Sequence, residues 1–125
     1  MKITTLETFD LREPASGRTY SVLKATSDQN LVGWGEASVI GKSSLALARS
    51  VVVGQDPSSY DVLTRHLAGD PVGAAVNMAM LDLYGQEAKA PVFQLLGGPT
   101  RFKVRAMTTL ARPEDREALQ SQGHR

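Results

Sequence analysis

Residues 19–26 alternate between two faces with the period of two that is typical of β-strands. Residues 2–11 and 19–37 are rich in Thr, Val, Leu, Tyr and Trp, and turn residues separate the two stretches. Leu23 and Ala25 share one strand face, and the polar tripeptide at 28–30 predicts a tight return into a third strand. The pattern therefore predicts a three-stranded antiparallel sheet.

The first of these strands is the least regular. Ile3 and Phe9 have one parity, whereas Leu6 has the other. We expect either a β-bulge or burial on both faces of the strand to account for this break.

A helical period of about 3.6 replaces the strand period after Gly41. Ser43 and Ser44 are candidate N-caps of this helix, and Gly54 is its expected end. The apolar residues that recur at i, i+3 and i+7 are Leu45, Ala48 and Val52.

Two Asp-Pro pairs, at Asp56 and Asp70, predict the starts of two further helices. Each pair places a carboxylate at the N-cap and a proline at the first helical position, where its missing N–H costs nothing. Pro91 disfavours helix at the residue before it, so the last of these helices should stop near residues 88–90. The residues predicted to be buried are Tyr60, Leu63 and Leu67 on the first helix and Val72, Ala75, Val76, Ala79, Met80 and Leu83 on the second.

Residues 93–96 add a short helical turn, and the Gly-Gly-Pro sequence at 97–99 then breaks the pattern. A new strand and helix are predicted beyond it, at residues 103–110 and 113–122. One strand with one helix is half of a βαβ unit and lacks the neighbours that a parallel strand needs. We therefore expect residues 1–99 to form an α+β unit, with a three-stranded antiparallel sheet followed by a three-helix bundle, and residues 100–125 to begin a second unit.

Length and charge restrict the classes of function. The chain has 125 residues, enough for about one domain, and its 14 basic and 13 acidic residues give a net charge of +1. This balance argues against nucleic acid as a partner, and no apolar run approaches the ~20 residues of a membrane helix. The absence of cysteine excludes disulfides and thiolate metal sites. The first residues lack the apolar core of a secretory signal, so we expect a cytoplasmic location.

Five motifs follow one another along the chain: Met1-Lys2-Ile3, Leu31-Val32-Gly33-Trp34-Gly35-Glu36-Ala37, Gly54-Gln55-Asp56-Pro57, the helix from Ala75 to Gly85, and Pro91-Val92-Phe93-Gln94-Leu95-Leu96-Gly97-Gly98. Each is weak alone, but together, in this order and spacing, they resemble the mandelate racemase and muconate lactonizing enzyme branch of the enolase superfamily. The chain departs from the family at Gln86, where Lys is usual, and at Lys89, where Gly is frequent.

The resemblance implies an enolase-like capping domain over residues 1–99 and, over residues 100–125, the start of a TIM barrel that the sequence leaves incomplete. Such enzymes use Mg²⁺ to stabilise the enediolate that forms when a base removes the proton next to a carboxylate. The implied parent is a racemase, a cycloisomerase or an acid-sugar dehydratase that acts on a small carboxylate and forms a homo-oligomer. Its metal ligands and base would lie on later barrel strands, so we assign no catalytic or metal-binding residue in this chain.

The segment between the first two strands is the stronger candidate site. It stands where the family has a mobile loop that folds over the barrel mouth and helps to select the substrate. Ser16 and Gly17 give it loop character. Arg18 is placed to meet a substrate carboxylate and Tyr20 to line the pocket, although an exposed arginine in a solvated hairpin is an equally weighted interpretation. A second and weaker candidate follows the third strand, at residues 38–42.

The candidates in this second segment are Ile40 and Lys42. The remaining polar residues have ordinary structural interpretations. Asp82 and Glu87 lie on different faces of a helix, so we expect Asp82 to make a fixed polar contact. His66 is expected on a helix surface. The Lys-Val-Arg sequence at 103–105 is similar to the family's Lys-x-Lys base motif. It falls on what resembles the first barrel strand, whereas the motif lies on the second, so we expect ordinary strand charges.

We predict that the 125-residue chain does not catalyse proton transfer by itself, because the metal ligands are expected elsewhere. Exchange of the α-proton of carboxylates with deuterium, followed by NMR with purified chain and Mg²⁺, should be undetectable. Detectable Mg²⁺-dependent exchange would contradict this prediction. The alternative function is a non-catalytic truncated gene product or an assembly domain, and light scattering of the purified chain tests for assembly.

Overall fold

The computed structural model describes residues 1–99, 101 and 103. Within these residues, three strands precede four helices, which confirms the predicted α+β class. The predicted strand at 103–110 and helix at 113–122 lie outside the described residues, so the division at residue 99 stays a prediction. The strands are β1 (Ile3–Arg12), β2 (Thr19–Ser27) and β3 (Val32–Ala37), and the helices are α1 (Lys42–Val52), α2 (Tyr60–Arg65), α3 (Pro71–Ala88) and α4 (Val92–Leu95), with a 3-10 turn at Pro57–Ser59.

β2 is the central strand of the sheet and pairs antiparallel with both β1 and β3. The register with β1 shifts between Ile3 and Thr5, which confirms an irregularity of the bulge type in the first strand. Asn30 closes the turn between β2 and β3 with a φ of 60°, a conformation that asparagine adopts more readily than most residues. Leu23 and Ala25 share one face, as predicted, and the structure shows that this face points into the core, since both residues are fully buried.

α3 lies directly against β3, and two glycines permit this close approach. A Cβ atom at Gly33 would lie 2.2 Å from the carbonyl oxygen of Ala79, and one at Gly35 would lie 1.9 Å from that of Ala75. Both distances are far inside van der Waals contact, so only glycine fits at these strand positions. The buried stripe predicted for this helix is confirmed, since every member is inaccessible to solvent: Val72, Ala75, Val76, Ala79, Met80 and Leu83.

Side chains of α3 also cover the outer edge of β3. Asp82 Oδ2 accepts a hydrogen bond from the Trp34 N–H at 2.9 Å, and Gln86 Nε2 donates to the Val32 carbonyl at 2.7 Å. Gln86 Nε2 donates also to Asp82 Oδ1, at 3.0 Å. These bonds confirm the fixed polar contact expected of Asp82, and they occupy edge groups that another strand would otherwise use.

Both Asp-Pro pairs begin helical segments, as predicted. Asp56 Oδ1 accepts from the Ser58 N–H at 2.8 Å, and Asp70 Oδ1 accepts from the Val72 N–H at 2.9 Å. α3 is 18 residues long and ends at Ala88, inside the predicted range. In the part of the chain that the structure describes, no helix combines the length and the apolar content needed to cross a membrane.

The predicted cap of α1 is wrong. The helix begins at Lys42, after Gly41, and no side chain caps it, so Ser43 and Ser44 already lie in its first turn. The Ser44 hydroxyl donates instead to Asp70 Oδ2 at 2.7 Å. A contact between helices has therefore replaced the local cap that the sequence pattern indicated.

Substitution Gly35→Ala should destabilise the domain by about 3 kcal/mol, because the new methyl group can be accommodated only by moving α3 away from β3. Gly41→Ala is the matched control: the residue has a φ of −70°, and a Cβ there would lie 3.9 Å from the nearest atom, Ser43 Oγ. We expect the control to lose about 1 kcal/mol or less. Urea denaturation followed by circular dichroism measures both variants, and equal losses would contradict the prediction.

Candidate functional site

The two candidate segments, residues 12–20 and 38–42, lie at the same end of the sheet. Their parts outside the strands and α1 are residues 13–18 (loop A) and 38–41 (loop B). β1 ends at Arg12, which pairs with Thr19 at the start of β2. β3 ends at Ala37, which pairs with Ser21 two residues further along β2. Antiparallel pairing thus brings together two loops that are separated by about 20 residues of sequence.

Loop A is held in shape by the Glu13 side chain. Its two carboxylate oxygens accept from the N–H groups of Ala15 at 2.8 Å and Ser16 at 2.6 Å. The Glu13 N–H donates to the Arg18 carbonyl at 2.8 Å, and the Gly17 N–H donates to the Glu13 carbonyl at 2.9 Å. Gly17 has a φ of 72°, which favours glycine. The loop therefore has a defined conformation set by its own polar groups.

The predicted substrate-facing residues of loop A reach the surface. Ser16 and Arg18 are exposed, and the Ser16 hydroxyl accepts from the Arg18 N–H at 3.2 Å. Tyr20 is half-buried at the start of β2. The Arg12 guanidinium lies over Gly17, 3.3 Å from the position that a Cβ would take there. Two arginines and a tyrosine are thus available at this end of the sheet.

Loop B is anchored by one residue and exposed on both sides of it. The Ile40 side chain belongs to the core and is only 7% exposed, and its N–H donates to Ser21 Oγ at 2.8 Å. Val39 is 50% exposed, and Lys42 is exposed at the first position of α1. Packing explains the position of Ile40, and a role of Ile40 or Lys42 in substrate selection stays a prediction.

Sequence reasoning missed Ser21 and Asp10. Ser21 is fully buried, and its hydroxyl donates to Asp10 Oδ1 at 2.5 Å while accepting from Ile40. The signal was present in the sequence: Ser21 has the same parity as Leu23 and Ala25, and a hydroxyl on an inward face requires a partner.

The described residues do not fit the Mg²⁺ that the resemblance implies. Within residues 1–99, 101 and 103, no group of three His, Asp or Glu side chains is placed to hold a metal ion. Asp82 is bonded to Trp34 and Gln86, whereas Glu87 Oε1 lies 3.3 Å from the α-amino nitrogen of Met1. The two carboxylates are therefore used in separate structural contacts.

An open groove of about 690 Å³ lies between β1 and α1 and includes no residue of loop A or loop B. Arg49 donates from Nε and Nη2 to the Leu6 carbonyl, at 3.0 and 2.7 Å. This bond occupies an acceptor of an edge strand. The groove is lined by Thr4, Thr5, Leu6, Glu7, Arg49, Ser50 and Val53.

The sequence profile of the mandelate racemase / muconate lactonizing enzyme N-terminal domain matches residues 12–97, a range that contains both loops and every helix described above. The chain belongs to this family. A D-galactonate dehydratase family member from Streptomyces bingchenggensis is 32% identical to it, and the D-galactonate dehydratase of Klebsiella pneumoniae is 33% identical. The alignments cover 86% and 85% of this chain.

Solved structures of the mandelate racemase and muconate lactonizing enzyme family share the fold. A muconate cycloisomerase from Azorhizobium caulinodans superposes with a TM-score of 0.79 at 25% identity, over 96% of this chain and 38% of that one. The chain spans 30% of the length of the two dehydratase relatives. Residues 12–97 are the N-terminal capping domain of this family.

The conformation of loop A should depend on pH. The pKa of the Glu13 carboxyl is held below its ordinary value of 4.5, first by the Ser16 side chain and then by the N–H groups of Ala15 and Ser16. Because these donors favour the charged form, the order they confer is present above pH 4.5 and is lost as the pH falls through the lowered pKa. NMR shifts of the Ala15 and Ser16 amides, followed from neutral to acidic pH, should report one transition below 4.5.

Glu13→Gln should abolish this transition, since the neutral amide cannot titrate. Glu7→Gln is the control: its carboxylate lies on β1, the strand that leads into loop A, and pairs with Lys24 at 3.3 Å, outside the loop. That variant should keep the transition. An unchanged transition in Glu13→Gln would show that another group controls the loop.

Proposed function

We propose that this chain is the capping and substrate-selecting domain of an acid-sugar dehydratase of the enolase superfamily. The observation that carries the proposal is the meeting of loops A and B at one end of the sheet, within the region that matches the family profile. Loops at one end of a rigid sheet can line a pocket on a neighbouring domain without belonging to the catalytic scaffold.

The proposed reaction begins with removal of the proton next to the substrate carboxylate, and dehydration then expels the neighbouring hydroxyl as water. In the family, Mg²⁺ offsets the charge that develops on the carboxylate. The described residues supply neither the metal ligands nor the base, so these groups are assigned to the barrel of the parent enzyme. The part left to this chain is to bind the distal portion of the substrate and exclude water.

Charge at the loop end supports an anionic substrate. Arg12, Arg18 and Lys42 are all exposed there. Among the carboxylates of this region, Glu13 accepts from amides of loop A, Asp10 accepts from the Ser21 hydroxyl, and Glu36 is exposed on β3 next to Ala37. The cationic side chains can donate hydrogen bonds to a carboxylate or to the hydroxyls of a sugar acid.

Lys42 supports the same conclusion from energetics. It is the first residue of α1, where the positive end of the helix dipole makes a cation unfavourable, and the first turn contains no acidic residue. Because Lys42 destabilises its own helix, its position is better explained by a contact with a group outside the domain. Residues of this kind are expected at functional sites.

Dehydration is favoured over isomerisation because the two relatives described above, at 32% and 33% identity, are named for D-galactonate dehydratase, whereas the cycloisomerase structure is 25% identical. The parent enzyme is proposed to be a cytoplasmic homo-oligomer that takes a small polyhydroxy carboxylate. We assign Arg18 to a substrate carboxylate or hydroxyl and Tyr20 to the pocket wall.

The test replaces the matching part of the Streptomyces relative with the 125-residue chain and measures dehydration of a panel of sugar acids with Mg²⁺. Arg18→Ala should raise KM by about tenfold with little change in kcat, since it removes one charged contact to the distal part of the substrate.

Arg65→Ala is the matched control for Arg18→Ala. Arg65 is an exposed arginine on α2 that pairs with Asp61 and lies outside both loops. It should leave KM unchanged. Equal KM values for the two variants and the unsubstituted chimera would refute the assignment of Arg18. Activity only on substrates that lack a hydroxyl on the carbon adjacent to the α-carbon would refute dehydration.

A further inference from the structure

Ser21 is a polar residue in an apolar environment. It lies on the inward face of β2, in line with Leu23 and Ala25, and none of its surface is accessible to solvent. A buried hydroxyl without partners costs about 1–3 kcal/mol, so its contacts explain why serine is tolerated there.

These contacts join three segments of the chain. The Ser21 hydroxyl donates to Asp10 on β1, two residues before the end of that strand, and accepts from the Ile40 N–H in loop B. The register places Ser21 opposite Asp10 on β1 and opposite Ala37 at the end of β3. The Ser21 side chain therefore connects β1, which leads into loop A, with loop B, which follows β3.

We propose that Ser21 is a positioning residue that fixes loop B relative to loop A. The Ile40 side chain holds loop B in the core from one side, and the bond from its N–H to Ser21 fixes the loop backbone against the sheet. Because Ser21 is fully buried, it acts through the loops and not by touching a ligand. The consequence for selectivity rests on the proposed function of the loops.

Ser27 offers a matched comparison within the same strand. It lies on the same face of β2, is 2% exposed, and its hydroxyl accepts from the Leu31 N–H at 3.1 Å. That bond closes the turn at the opposite end of the sheet, far along the strand from loops A and B. Loss of the Ser27 hydroxyl removes one hydrogen bond, and loss of the Ser21 hydroxyl removes two. Ser27→Ala therefore controls for the loss of a buried acceptor on this face of β2, and the location of the exchange effects, not their size, distinguishes the two variants.

Amide hydrogen exchange of the full chain by NMR tests the proposal. In Ser21→Ala, the Ile40 amide should exchange about tenfold faster, which corresponds to the loss of one hydrogen bond, and the amides of loop A should also lose protection. The Leu31 amide should keep its rate. Ser27→Ala should give the reverse pattern. Uniform acceleration of all amides in Ser21→Ala, or an unchanged Ile40 amide, would overturn the proposal.

Asp10→Ala provides a second test that leaves the core intact, because Asp10 is exposed. Without its acceptor the Ser21 hydroxyl loses its orientation, and the Ile40 amide should exchange faster, though less than in Ser21→Ala. The double variant should resemble Ser21→Ala, since both changes act on one network. Additive effects of the two substitutions would show that Asp10 and Ser21 act independently and would contradict the proposal.

The chimera described above separates this proposal from the proposed function. Ser21→Ala should alter the ratio of kcat/KM between two sugar acids, whereas Ser27→Ala should not. If Ser21→Ala changes amide exchange only in the loops and leaves selectivity unchanged, Ser21 positions loop B as proposed, but the loops do not select the substrate.

Discussion

The contact between α3 and β3 is the constraint on which the domain depends. Helices usually pack on sheets through side chains, but here the carbonyl groups of Ala75 and Ala79 lie where the side chains of Gly35 and Gly33 would be. This places the helix axis close to the sheet, buries the apolar stripe of α3, and brings Asp82 and Gln86 within reach of the backbone of β3. One helix therefore provides both the core contact and the cover for a strand edge.

The position of the candidate site follows from this arrangement. With β3 held by the helix, the antiparallel register determines where β1 ends, where β2 begins and where loop B leaves the sheet. The loops thus extend from a rigid support, and their polar groups set their local shape: Glu13 within loop A, and Ser21 between loop B and β1. Such a division between support and loop lets loop residues vary while the core is kept.

Patterns that act over a few residues were read correctly from the sequence. The alternation around Leu23, the break at Leu6 and the Asp-Pro starts at Asp56 and Asp70 all appear in the structure, because each depends on short-range geometry. The predicted cap of α1 is wrong because the result depends on a contact between residues that are distant in sequence. Ser44 had a local role available, yet a partner 26 residues away, Asp70, took its hydroxyl. Propensity cannot weigh such a competition, since it requires knowing which groups meet.

The sequence by itself determined the class of fold and the family, and it indicated two candidate segments for a proposed role in substrate selection, because strand and helix periods, glycine positions and motif order are written along the chain. Only the tertiary structure decided that the two segments meet, that Ile40 is an anchor with Val39 exposed beside it, and that Ser21 links loop B to β1. Sheet register and side-chain burial are properties of distant residues in contact, and a linear pattern does not specify them.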